Sequence, residues 1–420
     1  MKLKSLLIGA SALGFAASAQ AQTTVINITG ATAFRSAAHA AIMASFNQAG
    51  ALGTTWNYAW NGSSASGANN QIYKGTFPGI GGTTVIRTSW TGSVEGVRSL
   101  TKPTVFPETY LKDSVANLSG FTAGVKAGAS EFETSTSHQF AFADMAQSAS
   151  PTAYRSPKLN GGPIGVIAFL PVINEGADEA VTNITINQFR RLVSNGSIPL
   201  KMMTGNASSN GTIYNVQRND GSGTRVIHLA EIGHGQANLT KGYVFNNLVL
   251  TSTPVLAPAT GDLSVYGVSS GQNRVRFSND FRTTSVLGNG GYVSGGSIAS
   301  LMGQTSTGFN IISWLGTGDA KTSVTNGGRV LAYNGEKLDG VAGGYDLTTA
   351  DRNKIALGKY SAWSFEQLFY VGTLTAGSPK KAVYDRLVSV MPENILSAGV
   401  SLAAMQVIRP TDGGVIAPKP

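Results

Sequence analysis

Two rhythms of apolar and polar residues recur along this chain. Short apolar runs of strand length lead into Gly/Ser/Thr turns, and apolar residues at helical spacing follow. Val25–Ile28 predicts a strand, Thr29–Thr32 a turn and Ala33–Phe46 an Ala-rich helix ended by Gly50 and Gly53. Thr84–Arg87 predicts a second strand, Gly92-Ser93 a second turn and Val94–Leu100 a second helix. Phe140–Ala143 predicts a third strand, ending in the carboxylate of Asp144. Gly165–Asn174 is a continuous apolar run, expected to be a buried strand crossing between two halves of the molecule. Thr185–Val193 is amphipathic and helical, with Thr185 or Asn183 as cap. Tyr214–Gln217 predicts a strand before a third Gly/Ser/Thr turn. Phe309–Leu315 predicts another, running into Gly316-Thr317-Gly318-Asp319. Helices are expected at about 378–391 and 392–405. Residues 61–82 are Gly/Ser/Asn-rich and read as a long loop or a weak hairpin. No internal repeat is visible, and alternating strands and helices predict an α/β fold.

The ends and the composition narrow the setting. Lys2 and Lys4, the apolar stretch Leu6–Phe15 and Ala19-Gln20-Ala21 fit an export signal, so residues 1–21 are expected to be removed, leaving Gln22 first. The apolar stretch is too short for a membrane anchor. The absence of cysteine excludes disulfides, thiolate metal sites and a lipid-modified Cys. A soluble periplasmic or secreted protein is the expectation. With 420 residues and 42% hydrophobic content the chain can bury a large core, expected as two lobes. The formal charge of +9 becomes +7 without Lys2 and Lys4. Its basic residues are scattered, which argues against nucleic acid and still favours attraction of anions.

The densest candidate chemistry is Arg218-Asn219-Asp220-Gly221-Ser222-Gly223-Thr224-Arg225. Val226, Leu229, Ala230 and Ile232 follow at helical spacing, Gly233 is the expected stop, and Ser222 or Thr224 can cap the start. The first turn of a helix presents unpaired N–H groups and partial positive charge, and glycine lets an oxyanion approach that backbone. The same run also reads as an ordinary Gly-Ser turn capping a surface helix. Three turns of this kind, at Thr29–Thr32, Gly92-Ser93 and Gly221–Thr224, place helix N-termini at strand ends, where α/β folds bind ligands. Other signals are weaker. Gly267-Val268-Ser269-Ser270-Gly271 matches the nucleophile elbow of serine hydrolases, but the alternation from Gln272 to Phe277 predicts a strand where that elbow needs a helix. His228 and His234 are six apart and no His-Glu-x-x-His occurs, so no metal site is expected.

These motifs resemble the phosphate-binding proteins of phosphate ABC transporters, within the type 2 periplasmic binding proteins. Gly30-Ala31-Thr32 is similar to the family's N-terminal turn, and Gly92-Ser93-Val94-Glu95-Gly96-Val97-Arg98 to its second. Asp144 stands at the place of a strand-end aspartate. Arg218–Thr224 resembles the Arg-x-Asp-Gly-Ser-Gly-Thr signature, and Gly358-Lys359-Tyr360 with Trp363 a late strand. The resemblance implies a two-lobed α/β fold with the ligand cleft between the lobes: 22–165 with 319–420 as lobe 1, and 166–318 as lobe 2. It implies phosphate held by the hydroxyls of Thr32, Ser93, Ser222 and Thr224, the backbone N–H groups of Ala33, Gly223 and Thr224, and the guanidinium of Arg218. Asp220 belongs to that set as the residue that orients the arginine. Asp144 would accept a hydrogen bond from the protonated phosphate. No catalysis and no cofactor are implied, the partner is an inner-membrane permease, and a monomer is expected. Glu95 departs from the family's glycine; it would repel phosphate, pair with Arg98 or Arg218, or face water. Ala33-Phe34 stands where the family has Phe-Pro, and the loops at 52–82 and 101–138 are longer than usual. A phosphate ester or another oxyanion is an alternative ligand, and a secreted surface or matrix protein an alternative role.

Overall fold

The computed structural model describes residues 22–62, 64–115, 125–126, 131–250, 253–258, 286–304, 309–340 and 346–420. The proposed export signal and the Gly267–Gly271 motif lie outside these residues. In chain order the elements that frame the site are β1 (Thr23–Gly30), α1 (Arg35–Asn47), β2 (Trp56–Asn61), β3 (Asn70–Phe77), β4 (Ile80–Ser89) and α2 (Ser93–Thr101). Then come β5 (Phe140–Ala143), β6 (Asn160–Ile173), α3 (Ile186–Asn195), β7 (Thr212–Asn215) and α4 (Gly223–Glu231). The last are α5 (Gly295–Met302), β8 (Asn310–Gly316), α6 (Thr317–Thr325), β9 (Trp363–Tyr370) and α7 (Pro379–Asn394). The fold is α/β, and one large mixed sheet dominates it.

The principal strands lie in the order β7-β8-β6-β9-β5-β1-β4-β3-β2. β1 pairs in parallel with both β4 and β5, and β7 with β8. β6 is the long central strand. Its residues 160–168 pair antiparallel with β9, and its residues 169–173 pair antiparallel with β8. Its apolar run from Ile164 to Ile173 is buried, as a strand covered on both faces requires.

The structure decides one open reading and overturns another. Residues 61–82 take the hairpin alternative rather than the loop, β3 pairing antiparallel with β4 up to Phe77 and Ile80, although buried polar side chains hide the alternation. Gln71 accepts from the Trp90 indole (2.9 Å) and from the Thr88 hydroxyl (2.9 Å), and Asn70 donates to the Thr109 carbonyl (2.7 Å). Such groups are tolerated in a core only when paired in this way. The helix expected at 392–405 is absent. α7 continues through Pro392 to Asn394, and Gly399-Val400 then pairs with Ile167 and Val166 on β6.

Caps follow local chemistry. Thr185 and Gln188 form a reciprocal capping box at α3, which ends at Gly196 in the left-handed conformation. In the core, His228 on α4 stacks on Trp314 (4.6 Å between centroids) and meets Phe189 edge-on (4.3 Å). Burial lowers the His228 imidazole to about 3, with His234 and Arg225 adding to the shift. The unfolded chain binds this proton near pH 6.5, so stability is complete above that value and is lost as pH falls from 6.5 toward 3. At pH 5 the penalty is about 2 kcal/mol. His228→Phe is therefore expected to shrink the stability difference between pH 7 and pH 5 by that amount in urea unfolding. An unchanged difference would remove His228 from the acid response.

Candidate functional site

Two helix N-termini converge on the end of β5. Gly92 and Ser93 open α2, and Ser222 and Gly223 open α4, where the Ser222 hydroxyl accepts the Arg225 N–H (3.3 Å). The two turns touch directly. The Gly92 N–H donates to the Gly30 carbonyl (2.8 Å), and the Val94 N–H to the Gly221 carbonyl (3.1 Å). Gly92 has φ of 125°, and a Cβ there would stand 2.3 Å from the Gly221 oxygen. Only glycine fits that conformation and that approach together.

Asp144 follows β5 and points into this meeting place, 1% exposed. The Ser93 hydroxyl donates to Oδ1 of Asp144, and the Thr224 hydroxyl donates to Oδ2 (3.1 Å). Ser364 on β9 donates to the Asp144 main-chain carbonyl (2.5 Å). Burial pushes the Asp144 carboxyl above its usual range, against the pull of Ser93, Thr224 and Arg218. Arg218 is 3% exposed and donates to the carbonyls of Tyr292 (3.2 Å) and Val293 (2.9 Å). Burial lowers its guanidinium to about 10, opposed by the charges of Asp319 and Asp144. Even so, it stays a cation at neutral pH.

Thus Ser93, Asp144, Gly223 and Thr224 form one polar knot, with Arg218 in its field. Ser222 caps α4 beside it. Thr32 and Ala33 instead line an adjoining cavity together with Arg35 and Asp319. Asp220 lies 3.8 Å from the Arg98 guanidinium. Glu95 also pairs with Arg98, so this first-turn carboxylate is matched within its own helix. Arg98 is fully buried, with its guanidinium carbon 5.2 Å from the Tyr154 ring centre.

Sequence reasoning gave no role to four charged residues here. Arg35 and Asp319 form a buried ion pair (2.8 Å) 284 positions apart in sequence. Gly316-Thr317-Gly318-Asp319 is a fourth strand-turn-helix of the same kind, and that was the available signal. Arg225 donates to the Arg218 carbonyl (3.0 Å) and to Asn289, tying the 286–293 segment to the motif. Glu366 on β9 is fully buried, and neither carboxylate oxygen has a hydrogen-bond partner among the described residues. Burial holds its carboxyl well above the ordinary range, with the Asp144 charge adding to the effect. Its alternating strand context gave no sign of this. Among the described residues no cluster of His, Asp or Glu is arranged to hold a metal, and no helix is long and apolar enough to cross a membrane.

No family model matches the chain, and no curated protein does. Solved structures similar to it include a protein of Clostridium perfringens assigned as a phosphate ABC transporter substrate-binding protein, with phosphate bound. The identity is 11%, covering 90% of this chain and 100% of the other at a TM-score of 0.44. An ABC-type phosphate transport receptor from Vibrio cholerae is 13% identical, covering 88% and 96% at 0.43. PstS from Borrelia burgdorferi is 12% identical, covering 89% and 96% at 0.35.

Proposed function

We propose that this protein captures inorganic phosphate and passes it to an inner-membrane ABC permease, without chemistry on the ligand. The reading takes the chain as two lobes, 22–165 with 319–420 and 166–318, that close around the anion after export as a monomer. One observation carries it: a buried carboxylate, Asp144, sits where two helix N-termini, two hydroxyl donors and a buried arginine converge. Those donors suit an oxyanion, and the carboxylate makes the choice among oxyanions. Phosphate near neutral pH keeps a proton and can donate it in a hydrogen bond to Asp144. Sulfate has none, and would face the carboxylate as a like charge in a buried site. In the structure Ser93 and Thr224 donate to Asp144. On binding, their hydroxyls would turn to the ligand as the Asp144 carboxylate gains the phosphate proton as its partner. Ser222 and the Gly223 and Thr224 N–H groups complete the proposed shell; Thr32 and the Ala33 N–H, which line the adjoining cavity, would join it on closure of the lobes.

Isothermal titration of residues 22–420 with phosphate and then sulfate tests the reading. Tight phosphate binding without sulfate heat is expected, and silence toward phosphate would sink it. Asp144→Asn is expected to narrow the discrimination by about 1–3 kcal/mol, roughly 5- to 150-fold, because the amide can donate to sulfate where the carboxylate repels it. A variant that rejects sulfate as strongly as the parent would remove Asp144 from the selectivity.

A further inference from the structure

The far end of α4 is tied down by the last segment of the chain. Val407–Ile408 pairs antiparallel with Ala417–Pro418, and residues 409–416 form the loop between them. Arg409 and Glu231, the last residue of α4, make a buried ion pair (3.0 Å). The Arg409 guanidinium lies over the Trp363 ring (4.7 Å to its centre) and donates to the carbonyls of Trp363 (2.9 Å) and Ser361 (2.8 Å). The Ser361 hydroxyl donates to the other Glu231 oxygen (2.7 Å). Three residues on, the Asp412 carboxylate accepts the N–H of Ala146 (2.9 Å), which stands two residues past Asp144. Gly413 follows with φ of 67°, and a Cβ there would stand 2.3 Å from the Ala230 carbonyl carbon. Only glycine lets the loop lie this close on α4.

Both ends of α4 are therefore held. Its first turn gives the Thr224 hydroxyl to Asp144, and its last turn, about 12 Å along the axis, is held by the loop. Ser93, Asp144 and Thr224 are all buried, so an anion reaches them only when α4 moves off the β5 turn. That movement either parts Ala230 and Glu231 from the loop or carries the loop away from Ala146. One set of contacts has to break. None of the loop's bonds named above involves a group proposed to hold the anion. They are the same whether the Thr224 hydroxyl donates to Asp144 or to the anion. Contacts equal in two states cancel from the affinity and count only in the barrier between them.

We propose that residues 409–416 are a strap that gates the site: by fastening α4 to the β5 turn, they set how fast the anion enters and leaves, and they leave its affinity alone. The proposal goes beyond the phosphate reading above and rests on it only for the ligand whose rates are measured. Asp412 is a positioning residue here, acting through Ala146 on the turn that follows Asp144.

The test measures entry and exit of radiolabelled inorganic phosphate by rapid mixing and filtration, and hydrogen exchange of the α4 amides in phosphate-stripped protein. The proteins are residues 22–420 and its Asp412→Ala, Asp412→Asn and Gly413→Ala variants. Asp412→Ala and Gly413→Ala are expected to speed entry and exit alike, by about tenfold or more, with affinity within about threefold of the parent. The α4 amides should exchange faster by a similar factor. Asp412→Asn keeps an acceptor for the Ala146 N–H and is expected to stay within about threefold of the parent in every readout. Rates and exchange like the parent's in folded Asp412→Ala and Gly413→Ala proteins would overturn the strap, and so would faster exit with unchanged entry. If phosphate does not bind, the phosphate reading fails and α4 exchange alone decides the strap: faster exchange in Asp412→Ala but not in Asp412→Asn supports it, and equal exchange overturns it.

Discussion

An Arg218→Ala variant is expected to lose phosphate affinity by 2–5 kcal/mol, roughly 30- to 4,000-fold, the usual cost of truncating one partner of a buried charge pair. The size of the effect follows from burial. Arg218 is 3% exposed, so neither water nor salt replaces it, and the loss should persist at high ionic strength. Two of its N–H groups already hold Tyr292 and Val293, which fixes where the guanidinium lies. Arg218→Lys keeps the charge but not the planar fork, so an intermediate loss is expected. Titration calorimetry reads both variants, and thermal unfolding checks that the 292–293 contact has not taken the fold with it. Affinity within threefold of the parent in a folded Arg218→Ala protein would rule out Arg218 as the ligand's counter-charge.

The second large effect is expected at Arg98, where the readout is stability. Arg98 is fully buried between Glu95, Asp220 and the Tyr154 ring. Arg98→Met removes the cation and leaves Glu95, itself 6% exposed, without its partner. Breaking a buried pair from one side costs about 3–5 kcal/mol. Replacing both members, Glu95→Gln with Arg98→Met, should recover much of this, since the uncompensated charge is then gone. Urea unfolding of the two single variants and the double measures the coupling. Additive costs, or a single-variant loss below 1 kcal/mol, would show that the pair does not carry the α2 turn.

Much of the scaffold was legible because local rules dominate it. β1, β4, β5 and β6 are apolar runs, and the caps Thr185 and Ser222 stand where short hydroxyl side chains favour helix starts. The strand-turn-helix repeats located Ser93, Asp144 and Thr224 in one neighbourhood, because strand ends on the same side of a sheet share it. What stayed hidden depends on distant partners. Nothing near Arg35 announces Asp319, and nothing near Glu95 says that Arg98 would be sealed beneath Tyr154. β3 was legible only as one arm of a weak hairpin or as loop, because Gln71 and Asn70 are core residues only by virtue of Trp90, Thr88 and Thr109. Thr32 and Ser93 belong to equivalent turns, yet they serve a cavity and a knot respectively. That division depends on the Gly92–Gly221 contact, which no local pattern encodes.

The position of β9 sets a schedule for the nascent chain. Residues 363–370 lie between β5 and β6, strands made some two hundred residues earlier. Until they arrive, the middle of the sheet is a gap with two open edges, each able to recruit a foreign strand. At about 5–20 residues per second, residue 370 follows the end of β6 by roughly 10–40 s. For all that time the early strands cannot close on each other, so the chain passes through its synthesis, and any threading across a membrane, without a finished sheet to be undone. The same delay makes it a natural client for a holding chaperone, and a chain cut short before Trp363 should aggregate through the exposed β5 and β6 edges.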